Sequence, residues 1–114
     1  SLLLLRVIQI NDLTHRHRYP PFQSAMKLYI YRGLDGERVP KDATHVIVDS
    51  RVAVIKREAF RECKQLVCVI MGDNVKIIEW WAFYGCRAFL YIRLSKTLEY
   101  IGMGAFRWCE SLEV

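Results

Sequence analysis

The chain has 114 residues, of which 53% are hydrophobic and 25% charged, and it carries a formal net charge of +5. That is enough apolar material for one small domain with a core, and no stretch approaches the roughly 20 apolar residues of a membrane-spanning helix. Within these residues the arithmetic excludes a spanning helix, a two-domain enzyme and a low-complexity or collagen-like chain.

Residues 1–24 read as a loosely ordered leader. They hold Arg6, Arg16 and Arg18 against Asp12. The Leu2–Leu5 run is followed at once by Arg6, so it falls short of the roughly 7–15 apolar residues of a signal peptide. No signal peptide is visible in this chain, and the compartment stays open. His15-Arg16-His17-Arg18 could touch an anionic surface, although a solvated leader explains it more simply.

A β-hairpin cap is predicted over 25–42. Lys27-Leu28-Tyr29-Ile30-Tyr31-Arg32 has the composition of a strand, Gly33-Leu34-Asp35-Gly36 is a turn signal, and Glu37-Arg38-Val39 runs back before Pro40.

From residue 43 to 114 the chain repeats. Ala59-Phe60, Ala82-Phe83 and Ala105-Phe106 recur at intervals of 23, as do Cys63, Cys86 and Cys109. Leu66, Phe89 and Leu112 keep the same register, and so do Val69 with Ile92, Met71 with Leu94, Val75 with Leu98, and Ile78 with Ile101. A disulfide framework has no need of equal spacing, whereas a structural repeat does. Each repeat should open with a short strand, because Val46/Val48, Val69/Met71 and Ile92/Leu94 alternate. A turn follows, then a second inward segment. A short helical turn closes the coil where apolar residues recur at spacings of one and three. Stacked coils bury one another's apolar faces. Phe60, Phe83 and Phe106 are expected to form one ladder, and Cys63, Cys86 and Cys109 a second ladder of buried thiols. By the period, the next strand would begin one residue past Val114. The last repeat is incomplete, and a longer array is expected.

This pattern resembles the BspA-like leucine-rich repeats. The resemblance rests on Ala-Phe-x-x-Cys-x-x-Leu-x-x-Val, then Val-x-x-Ile, then Ala-Phe again, and it is closest at Ile101-Gly102-x-x-Ala105-Phe106. It departs from that pattern where Glu79 and Lys56 replace the Gly seen at 102, where Phe89 replaces Leu, and where Gly72-Asp73 and Ser95-Lys96 stand in place of Pro. The resemblance implies an α/β leucine-rich-repeat solenoid with short parallel strands, short helical turns and the hairpin cap. It also implies a non-enzymatic interaction scaffold that binds a protein partner.

Residues alternating with the buried ones should face outward from the strands in two rows. One row is His45, Cys68 and Tyr91; the other is Ile47, Ile70 and Arg93. An apolar-aromatic face with one Arg suits protein binding. His45 and Cys68 could approach one another, but no oxyanion donors or orienting carboxylate accompany them. No glycine-rich phosphate loop, metal-ligand pair or paired carboxylates occur, so no cofactor or metal is expected. The alternative reading is electrostatic binding of nucleic acid or an anionic surface through the leader and the arginines. The mild, mixed charge argues against it. Trp80 and Trp81 break the repeat, since Arg57-Glu58 and Met103-Gly104 hold the matching places.

Overall fold

A computed structural model describes residues 25–112; the leader expected over 1–24 lies outside them. Seven short strands run in chain order: β1 (Leu28–Tyr31), β2 (His45–Val48), β3 (Val54–Ile55), β4 (Cys68–Ile70), β5 (Ile77–Ile78), β6 (Tyr91–Arg93) and β7 (Tyr100–Ile101). They form two parallel sheets, ordered β1-β2-β4-β6 and β3-β5-β7. The registers follow the sequence period. His45 stands opposite Cys68 and Cys68 opposite Tyr91, while Val54 stands opposite Ile77 and Ile77 opposite Tyr100. One coil therefore consumes 23 residues and adds one strand to each sheet.

The core lies inside the coils. Val46, Val69, Ile55, Ile78, Phe60, Phe83, Leu66 and Phe89 are all at 0% exposure. Phe60 and Phe83 stack with ring centroids 4.9 Å apart, and Phe83 and Phe106 at 5.3 Å, each pair with planes within 4° of parallel. That separation is the preferred range for aromatic pairs.

The predicted hairpin does not form. β1 pairs in parallel with β2, Leu28 opposite His45 and Tyr31 opposite Val48, so it is a further strand of the main sheet and not one arm of an antiparallel pair. Its turn does close, with the Glu37 N–H donating to Leu34 O. After the turn, the Glu37 side chain folds back on β1. Its carboxylate turns inward and accepts from the Tyr29 hydroxyl at 2.5 Å, the Arg32 N–H at 3.1 Å and the Leu34 N–H at 2.9 Å. Residues 37–39 are thereby held as an irregular loop. Burial opposes the charge on Glu37, but these three donors outweigh it and hold the carboxyl below its ordinary pKa. The Tyr29 phenol, partly desolvated and donating to that carboxylate, is pushed up to about 12.

The short helical turns are also replaced. No helix occurs among the described residues. The segments 57–62, 80–85 and 103–108 are chains of tight turns. Along the middle one, the N–H groups of Ala82, Tyr84 and Cys86 donate back to the carbonyls of Glu79, Trp81 and Phe83. Those between them, of Trp81, Phe83 and Gly85, donate sideways to Met103, Ala105 and Arg107 of the next coil. A helix would claim every donor for its own turn; here alternate donors tie neighbouring coils together. The alternation requires left-handed residues at two repeat positions. Glu58, Trp81 and Gly104 have φ of 57°, 57° and 64°, and Glu62, Gly85 and Trp108 have 55°, 75° and 65°.

Candidate functional site: the exposed face of the four-stranded sheet

Strand alternation sends Tyr29 and Tyr31 inward and Leu28 and Ile30 outward on β1. The register then extends both outward rows by one residue. They read Leu28–His45–Cys68–Tyr91 and Ile30–Ile47–Ile70–Arg93. Leu28, Ile30 and Tyr91 are 43%, 40% and 38% exposed. His45, Ile47 and Arg93 are half-buried. The strand signal over 27–32 alone puts Leu28 and Ile30 on a hairpin arm. Their alternation with Tyr29 and Tyr31 was the signal that could have placed them here.

Two members of the expected surface are not open to it. Cys68 is fully buried and Ile70 is 6% exposed. They form an apolar cluster of their own with Val67, against which Leu90 packs. Both sit on β4, an internal strand of the sheet.

Arg93 closes one end of the second row. Its guanidinium donates to Met71 O and pairs with Asp73 at 3.3 Å. Burial opposes the charge on Asp73, but the Lys96 N–H and Arg93 keep its carboxyl below the ordinary pKa. In the first row, His45 Nδ1 lies 2.9 Å from Thr44 Oγ1. Among the described residues, no group of three or more His, Cys, Asp or Glu could hold a metal ion.

The chain matches the family model described as BspA type leucine rich repeat region (6 copies) over residues 40–114. It belongs to the BspA-type leucine-rich-repeat family. It is similar to a solved structure, the crystal structure of the T. pallidum leucine rich repeat protein (TpLRR), at 28% identity with a TM-score of 0.61. The match covers 82% of this chain and 42% of that one. No curated protein matches.

In this BspA-type array the recurring thiols make contact between coils. The Cys86 Sγ–H donates to Phe60 O at 3.0 Å and the Cys109 Sγ–H to Phe83 O at 3.1 Å. Each thiol thus binds the coil before its own, and neither is in a disulfide. Burial pushes the Cys63 thiol up. Burial in the same core raises the Cys86 thiol too.

The tryptophans of the repeat lie on the flank made by the tight turns. Trp81 stacks on Tyr84 at 4.8 Å, and the Arg61 guanidinium covers both rings at 5.1 and 5.4 Å. Arg61 is held in turn by Glu58 at 2.6 Å. Trp80 is 41% exposed, with Arg57 over its ring at 5.7 Å. This is lateral packing of neighbouring coils by cation–π contact. No helix among the described residues is long and apolar enough to cross a membrane.

Proposed function

We propose that this chain is a non-enzymatic, protein-binding segment of a leucine-rich-repeat scaffold, and that the partner docks on the exposed face of the four-stranded sheet. The observation that carries the reading is the exposure of Leu28, Ile30 and Tyr91 in registered rows with His45, Ile47 and Arg93. Exposed apolar residues gathered on one rigid surface favour a partner that removes them from water. Tyr and Arg are the side chains that most often anchor such interfaces. Cys68 and Ile70 lie in the same rows but are buried, so they offer a partner little surface. Similarity to 42% of the length of a solved repeat protein supports reading the chain as one segment of a longer array.

The test places a photo-crosslinking phenylalanine at Ile30 or Tyr91 and, as a control, at Glu110. The two sheet-face positions should capture one shared partner that Glu110 does not. Ile30→Lys should weaken capture about tenfold, since a charge would then replace an apolar contact of the patch. Equal capture from Glu110, or indifference to Ile30→Lys, would remove the sheet face from the interaction.

A further inference from the structure

A second candidate site lies beside the loop that follows β1. The loop 34–41 and the first turn segment, 56–59, enclose a cleft of about 500 Å³. Four of its lining side chains are cationic, Arg38, Lys41, Lys56 and Arg57, and two are anionic, Glu37 and Glu58. The anions are already engaged. Glu37 accepts three hydrogen bonds from Tyr29, Arg32 and Leu34, and Glu58 is paired with Arg61. Lys56 is neutralised by Asp35 at 2.6 Å.

Among the described residues, the other three cations enter no ion pair, although the Glu79 carboxylate accepts from the Arg57 backbone N–H at 3.0 Å. Lys41 donates to Arg61 O, a carbonyl that satisfies a donor and leaves the charge. Arg57 rests over the Trp80 ring, which likewise leaves it charged. Arg38 is exposed and takes part in none of the ion pairs among the described residues. Beside them, Leu34 is 62% exposed at the rim, and Val39 and Ala59 line the wall.

We propose that this cleft binds a short acidic peptide segment, with carboxylates received by Arg38, Lys41 and Arg57 and an apolar side chain held against Leu34. Its size falls within the usual range of ligand sites. Guanidinium groups receive carboxylates in two-pronged pairs. A nucleic-acid strand fits less well, because its affinity grows with each phosphate neutralised and the cleft offers three cations outside those ion pairs beside apolar wall.

The experiment is a fluorescence-anisotropy titration of a labelled Glu-Glu-Leu-Glu peptide with the full 114-residue chain. Saturable binding is expected. Arg38→Glu should weaken it about tenfold, as expected for reversing one charge at the contact. Arg38 is exposed and makes no hydrogen bond among the described residues, so this variant keeps its fold. Arg87→Glu, an exposed charge outside the cleft, should leave it within about twofold, because it makes no contact with the bound segment. The proposal is overturned by absence of saturation, by equal weakening in the two variants, or by tighter binding of a single-stranded oligonucleotide of equal charge.

Discussion

Tyr31 shows how one side chain can finish a repeat array. Its ring packs on Phe60 at 5.0 Å, so the phenylalanine column ends in an aromatic cover and not in water. Its hydroxyl does a second task. In successive coils the Glu79 N–H donates to Ile55 O and the Gly102 N–H to Ile78 O. Among the described residues, no earlier coil offers a carbonyl to the matching donor of the first coil, the Lys56 N–H. The Tyr31 hydroxyl accepts it at 3.1 Å. Tyr31→Phe keeps the ring and deletes the acceptor. It should cost about 1–3 kcal/mol, the usual penalty for a buried donor left unpaired. Urea denaturation reads that loss, and amide exchange at Lys56 should speed up while Phe60 stays protected. An unchanged Lys56 exchange rate would mean that water replaces the hydroxyl freely.

At the scale of elements, the lattice of 23 was legible because every coil solves the same packing problem with the same residue types. Ala-Phe and Cys recur wherever a ring or a small thiol must sit against its copy in the next coil. β1 was not legible as part of that lattice. It pairs with β2 at a spacing of 17, Leu28 to His45, and shares none of the recurring residues. The turn at 33–36 is real, but sequence alone does not reveal that Glu37 folds back on Tyr29. The tight turns were read as helical because spacings of one and three serve both conformations. The deciding feature is backbone handedness, and only Gly85 and Gly104 betray it, since Glu58, Trp81, Glu62 and Trp108 adopt the same left-handed state. Alternation likewise assigned Cys68 and Ile70 to a side of the sheet without showing how deeply they are buried there. Gly104 tests the turn geometry. It has φ of +64°, and a Cβ there would lie 2.7 Å from Trp81 Cδ1. Gly104→Ala should cost about 2 kcal/mol, from left-handed strain of about 1–2 kcal/mol plus displacement of the indole. Thermal unfolding measures the loss, and the near-ultraviolet circular dichroism of the Trp81–Tyr84 stack should change with it. A neutral substitution would mean that the turn relaxes away from the left-handed state.

For the whole molecule, stacking makes burial a property of position along the axis. Ile55 and Ile78 are at 0% exposure, whereas Ile101, the same residue of the next coil, is 46% exposed. Met71 and Leu94 show the same contrast, 0% against 41%. Sequence identity at a repeat position therefore does not give equal energetic weight. Each coil is stabilised by its own burial and by its interfaces with two neighbours, and a terminal coil lacks one of them. Ile78→Ala should destabilise the chain by about 2–5 kcal/mol, the range for truncating a buried aliphatic side chain. Ile101→Ala should cost under about 1 kcal/mol, because an exposed side chain has little transfer energy to lose. Urea midpoints of the two variants against the parent chain give the comparison. The unfolding slope of Ile101→Ala should match the parent, since the cooperative unit is unaltered. Equal losses at 78 and 101 would show that the last coil is covered in solution, and the interface responsible would then have to lie against β7 and the exposed edge of Leu94.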